Sequence, residues 1–210
     1  MTDLRDRLAS LSPEQQRMLA ARLAKDKAPR KPPIKPQSRK PAGSVMSFAQ
    51  QRLWLLHQLE PGMNHYHIPL AFECIGELDI TAIQWAWIEV IRRHESLRTR
   101  FSTMENAPVQ IIEPIDTVQP MKEFDLFADD RVEDKYLEAR RIIHEEAAKP
   151  FDLEHGHPCR SLLVKTGKQE NFLLFAFHHI VFDGWSLGVF QQELLTFYSC
   201  YSQGKPSPLP

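Results

Sequence analysis

The sequence predicts an α/β fold, a two-layer sandwich of mixed sheet and helices, and three observations carry that prediction. DITAIQWAWIEVIRRHE (residues 79–95) repeats apolar side chains at helical spacing. CRSLLVKT and ENFLLFAFHH are short apolar runs separated by a Gly-containing turn, the pattern of a hairpin of buried strands. Helices and strands follow one another in mixed rather than strict alternation, which favours a sandwich over a doubly wound sheet.

In chain order, residues 1–26 read as a short helical segment. Ser12, Pro13, Glu14 and Gln15 make a capping-box start, and Met18, Leu19 and Leu23 follow at helical spacing. Residues 27–44 alternate prolines with basic residues and carry almost nothing apolar, so they read as an extended, solvated linker. The folded domain is expected over 45–210. SFAQQRLWLLHQLE has a capping serine, with Leu53, Leu56 and Leu59 in register and Pro61 and Gly62 beyond its end. A strand over about 66–75 comes next. Asp79 caps the second helix, whose core face is Ile80, Ile83, Trp87, Val90 and Ile91. LRTRF and PVQIIEP alternate like strands, and VEDKYLEARRIIHEEAAK is an amphipathic helix stopped by Pro150. After the hairpin, a last helix carries Leu187, Phe190, Leu194, Phe197 and Tyr201. No internal repeat is present.

Composition narrows the function. The 210 residues are 42% apolar and 25% charged, enough for a sizeable core, and a formal charge of −1 supplies no basic field for nucleic acid or an anionic membrane. No signal-peptide stretch or spanning run is seen, so the expected location is cytoplasmic, with no nucleic-acid and no membrane partner. The three cysteines, Cys74, Cys159 and Cys200, lack CxxC spacing and are expected to be free thiols.

The unusual stretch is FHHIVFDGWS, residues 177–186, at the end of an apolar run. On a strand, Phe172, Leu174, Ala176 and His178 share one face and Leu173, Phe175, Phe177 and His179 the other, so the two imidazoles cannot do the same job. One is expected to face a substrate cavity and the other to be tied into the interior. Asp183 and Gly184 make a tight turn in which glycine permits a positive φ, while the aspartate caps the next helix or pairs with a buried cation. His65/His67 and His155/His157 have HxH spacing, but with no clear third ligand no metal site is expected. No GxSxG is present, and Ser186 reads as a turn or cap residue.

FHHIVFDGWS resembles the HHxxxDG signature of nonribosomal peptide synthetase condensation domains, within the chloramphenicol acetyltransferase-like superfamily. SFAQQRLWLLHQLEPG (Ser47 to Gly62) is similar to the family's first motif and RHESLRTRF (Arg93 to Phe101) to its second, and PFDLEHGHPCRSLLV looks like the stretch before the signature strand. The resemblance implies one lobe of a chloramphenicol acetyltransferase-like pseudo-dimer: the N-terminal lobe of a condensation domain, lacking its C-terminal lobe and so inactive alone. It implies amide formation between an acyl thioester on one carrier protein and an aminoacyl amine on another. No cofactor is bound directly; the substrates ride on the phosphopantetheine of upstream donor and downstream acceptor carrier proteins. Among the implied catalytic residues, His179 is the active-site histidine, His178 is structural, Gly184 orders the site through its backbone NH, and Asp183 pairs with Arg98, favoured over Arg93 or Arg100. The intact histidines imply plain condensation rather than heterocyclization, and the GWS ending resembles the class joining an L donor to an L acceptor. Two alternatives stay open: a carrier-docking module acting through residues 1–44, and a starter domain using acyl-CoA.

Overall fold

The computed structural model describes residues 12–15, 17–18 and 43–209. Two compact units divide the chain, residues 1–38 and 39–210. In the first, Pro13–Gln15, Arg17 and Met18 are helical and the capping box forms, with the Ser12 amide donating to Gln15 Oε1 (3.0 Å) and the Gln15 amide to Ser12 Oγ (3.3 Å). The rest of the expected first helix and most of the expected linker lie outside the described residues.

The second unit runs β1 (Ser44–Val45), α1 (Phe48–Leu59), β2 (His67–Ile75), α2 (Ile80–Arg93), a 3₁₀ turn (Glu95–Arg98), β3 (Thr99–Met104), β4 (Ala107–Ile112), a second 3₁₀ turn (Ile115–Thr117), β5 (Lys122–Asp125), α3 (Lys135–Ala148), β6 (Cys159–Lys165), β7 (Glu170–His178) and α4 (Gly184–Ser202). The strands form two sheets, ordered β1-β4-β3 and β2-β7-β6-β5. The mixed α/β class is borne out, and the larger sheet carries helices on both faces. Ser47 closes a capping box on α1, and Asp79 and Asp134 accept N-terminal amides of α2 and α3.

Strand β7 organises the molecule. It pairs antiparallel with β2 on one side and β6 on the other, and its residues 171–178 are all buried. Leu173, Phe175 and Phe177 pack with Trp87, Val90 and Ile91 of α2 and Phe190, Leu194 and Phe197 of α4. Phe172, Leu174 and Ala176 pack on the opposite side with Trp54 of α1, Phe101 of β3, and Ala139 and Ile143 of α3. Glu193, buried on α4, ties α4 to α2 by accepting from Arg93 Nε (3.0 Å) and meeting the His94 ring.

Three local expectations change. The buried residue of α1 is Trp54, with Leu53 of the leucine register packed partly buried beside it and Leu59 exposed, because the helix presents the indole to the core with its NH near Thr103 Oγ1 (3.4 Å). Strand β5 was not anticipated: KEFD is polar, exposed at every position, and gains its strand conformation from a parallel pairing with Leu162–Lys165 of β6. LRTRF and PVQIIEP do form strands, but in the smaller sheet, completed by Ser44–Val45.

Phe175 is fully buried with its ring 5.3 Å from Trp87 and 5.2 Å from Phe190. Phe175→Ala is expected to destabilise the chain by about 3–5 kcal/mol, the range for a large aromatic removed from a packed core. Urea denaturation of the two proteins measures it, and a loss below about 1 kcal/mol would contradict this packing.

Candidate active site

His178, the last residue of β7, and His179, the residue after it, lie in different environments. His178, 3% exposed, ends the strand on the α1/α3 side. Its amide donates to Pro158 O (2.8 Å), and its Nδ1 accepts from the Ile180 amide (3.1 Å). Rings of His57, Tyr66, His67 and Phe151 surround it at centroid distances of 6.0–6.3 Å. Burial, reinforced by His67, His57 and His179, pushes its pKa down to about 3. The ring is therefore neutral at physiological pH, with its proton on Nε2 because Nδ1 is an acceptor. His179 steps off the strand and is exposed, while its amide still donates to Tyr66 O (2.8 Å). The backbone of this histidine is held in the sheet while its side chain is free.

Asp183 is the N-cap of α4, in extended conformation (φ −141°, ψ −175°). Its Oδ1 accepts from the Ser186 amide (2.8 Å) and the Ser186 hydroxyl (2.7 Å). The Ser186 hydroxyl first, then the Ser186 amide, lower its pKa against an opposing contribution from desolvation, and the His179 charge adds in the same downward direction. Ser186 is thus part of the cap, as its position in the turn predicts. A cavity of about 230 Å³ adjoins this turn, with Val90, Leu97, Phe182, Trp185 and Val189 in its wall. A larger cleft of about 890 Å³ opens between the 113–122 loop and β6, away from the histidine pair.

Two site expectations are corrected. The Arg98–Asp183 ion pair does not form. Arg98 is buried, but its guanidinium donates to Glu113 O and to Glu95 Oε1 (3.1 Å), while Asp183 is exposed and committed to its own helix. Arg93 and Arg100 are engaged with Glu193 and Glu113. Pairing Asp183 with Arg98 would require both to give up partners that the local chain supplies. Gly184 does not occupy the positive-φ region; it is the first residue of α4, and a Cβ there would meet nothing within 4 Å. Its amide, at a helix N-terminus, keeps the donor character that an ordering role requires.

Among the described residues no cluster of three or more His, Cys, Asp or Glu side chains could hold a metal ion. Three of the four histidines of the HxH pairs have other contacts: His67 Nδ1 with Ala147 O (3.4 Å), His155 Nδ1 with Asp152 (3.2 Å) and His157 Nε2 with Thr117 (3.2 Å). All three cysteines are free thiols. No described helix is long and apolar enough to cross a membrane. His57 and His67, the neighbours of His178, were not singled out as site residues. His57 lies within the first motif and His67 in an HxH pair; the β2–β7 register brings His67 to His178, and the packing of α1 brings His57.

A central strand ending in a buried and then an exposed histidine, followed at once by a capped helix, sits on the chloramphenicol acetyltransferase-like fold of solved condensation domains. The structure superposes on the starter condensation domain of rhizomide synthetase RzmA with a TM-score of 0.72 at 23% identity, over 80% of this chain and 40% of that one. The first condensation domain of the calcium-dependent antibiotic synthetase matches with a TM-score of 0.68 at 27% identity, over 79% of this chain and 39% of the other. The family model described as Condensation domain matches residues 44–210, and the chain belongs to that family. It is 40% identical over 164 residues to malpibaldin synthetase of Mortierella alpina, covering 78% of this chain and 3% of the relative. It is 36% identical over 212 residues to phosphinothricin tripeptide synthetase PhsC of Streptomyces viridochromogenes, covering 100% of this chain and 19% of the relative. The chain thus spans a small fraction of these synthetases and about two fifths of the solved domains.

Because the folded pKa of His178 is lowered below the usual 6.5, the unfolded chain binds a proton that the folded chain refuses between about pH 6.5 and 3. Stability is therefore expected to fall as pH drops below 6.5, with His57, His67 and His157, also lowered chiefly by desolvation, acting in the same direction. Urea midpoints of wild type and His178→Gln between pH 7 and 5 check this: the variant should show the shallower slope, and equal slopes would mean that His178 is not held neutral. Asp183→Asn, which keeps an oxygen acceptor at the cap, should leave the far-UV circular dichroism of the chain unchanged, as expected of an exposed cap and not of a buried ion pair.

Proposed function

We propose that this chain is the N-terminal lobe of a condensation domain that forms an amide between an acyl thioester and an aminoacyl amine, each carried on the phosphopantetheine of a carrier protein. The observation that carries the reading is the contrast within one dipeptide: His178 is neutral and locked, and His179 is accessible at the end of the same strand. Family membership over residues 44–210 and the synthetase relatives supply the reaction class.

In this reading the acceptor nitrogen attacks the thioester carbonyl, and a zwitterionic tetrahedral intermediate forms. His179 orients the amine and accepts a proton from the positive nitrogen. The C–S bond then breaks, and the thiolate leaves with a proton returned by His179. Deprotonating the amine in advance gains little, because an α-amino group of pKa about 7.7–8.0 is already partly neutral near pH 7.5. The larger contributions come from alignment of the two carrier-bound groups and from proton transfer at the intermediate. His178 takes no proton in this scheme; it holds the backbone that presents its neighbour. Asp183 starts α4, so that the Gly184 amide lies at the helix N-terminus, where this reading gives it an ordering role.

The test is a single-turnover assay with donor and acceptor preloaded on their carriers and a complete two-lobe domain. His179→Ala in that domain is expected to slow amide formation by about 10²- to 10⁴-fold, the usual range for general acid-base help. This chain alone is expected to form no amide. A His179→Ala domain as fast as wild type would overturn the assignment.

A further inference from the structure

His67 faces His178 directly across the β2–β7 ladder. The next pair along, Tyr66 with His179, is joined by a hydrogen bond (2.8 Å), and the His178 amide points instead to Pro158 O, the residue just before β6 on the other side. His67 and His178 are therefore a non-hydrogen-bonded pair, the kind in which cross-strand side chains approach most closely. Their ring centroids are 6.0 Å apart at an interplanar angle of 65°.

The tautomers of the two rings follow from their partners. A carbonyl oxygen only accepts, so the contact of His67 Nδ1 with Ala147 O (3.4 Å) places the proton of His67 on Nδ1 and leaves a lone pair on Nε2. That Nε2 is buried and finds no hydrogen-bond partner among the described residues. His178 has the opposite arrangement, with its Nδ1 occupied by the Ile180 amide and its proton on Nε2. One ring presents an unmatched buried acceptor and the other an N–H donor, side by side. A direct N–H···N bond between imidazoles would set the centroids about 5 Å apart, so a 6.0 Å separation suits one bridging water molecule. The same niche holds the His57 ring, stacked on Trp54 of α1, and the Phe151 ring, over which the Arg160 guanidinium lies 4.0 Å from the centroid.

We propose that His67 is a positioning residue for the condensation reaction: its Nε2 lone pair receives the Nε2–H of His178 across the strand pair, through one water molecule, and so holds the strand end from which His179 is presented. The resulting chain of bonds runs from Ala147 O through His67 and His178 to the Ile180 amide, and so anchors the residues on both sides of His179. This rests on the reading of His179 as the reacting histidine. Desolvation lowers the proton affinity of both the half-buried His67 ring and the buried His178 ring, which agrees with two neutral imidazoles.

Two measurements test the proposal. In the chain labelled with ¹⁵N-histidine, long-range ¹H–¹⁵N spectra near pH 7 report the tautomer of each ring. The expected result is a proton on Nδ1 of His67 and on Nε2 of His178; a proton on Nε2 of His67 removes the acceptor and overturns the proposal. In the complete domain, His67→Phe is expected to lower the single-turnover rate at saturating carriers by about 3- to 10-fold with apparent KM unchanged, as for loss of one orienting hydrogen bond. His67→Gln, whose amide oxygen reaches the Nε2 position, should recover most of that loss. A His67→Phe domain as fast as wild type, beside a slowed His179→Ala control, overturns the positioning role alone. A His179→Ala control at full rate removes the catalytic reading and this proposal with it. Should His67→Phe fail to fold, the tautomers and the His67→Gln rate still decide.

Discussion

The constraint on which the structure depends is that β7 has no solvent face. Flanked by β2 and β6, it is packed against α2 and α4 on one side and α1 and α3 on the other, so each side chain from Phe172 to Phe177 enters one of two cores. A shift of one residue would exchange the two sets and place an imidazole where a phenylalanine packs. The position of His178 is therefore enforced by every large side chain behind it. The exposure of His179 follows because the strand ends there.

That arrangement separates two demands that one histidine could not meet. A reacting group must be accessible and free to change protonation, whereas a group that fixes the backbone must be dry and constant. Burial makes His178 a poor proton acceptor, which would be a defect in a base and is an advantage in a brace. The capped start of α4 does similar work from the other direction. Asp183 uses its carboxylate on local amide and hydroxyl donors, so the turn after the histidines is rigid without a long-range ion pair.

The buried charges lie outside this centre and serve the frame. Glu193 joins α4 to α2, and Glu146 joins α3 to Lys122 at β5 and approaches Arg160 of β6. Glu146 has Lys122, Lys149 and Arg160 within reach, and Glu193 has the Arg93 guanidinium, the pairing under which a buried charge is tolerated. Glu193 thus ties together two helices on one face of the sheet, and Glu146 ties α3 on the other face to the sheet itself.

Much of this was legible in the sequence because it depends on short-range periodicity. The helical stripe from Ile80 to Ile91, the capping residues Ser47 and Asp79, the β6–β7 hairpin and the different environments of His178 and His179 all follow from spacings of two, three or four residues, and the motifs shared with condensation domains lie in contiguous stretches. What sequence could not supply depends on partners distant in the chain. Lys122–Asp125 becomes a strand only because β6 offers an edge, and Arg98 and Asp183 find different partners because each already has donors or acceptors at hand. His57 and His67 join His178 only when α1, β2 and β7 assemble. Local pattern determined which residues face inward; tertiary packing decided which of those inward groups meet, since hydrogen bonds and ring contacts depend on distances in space that spacing along the chain does not encode.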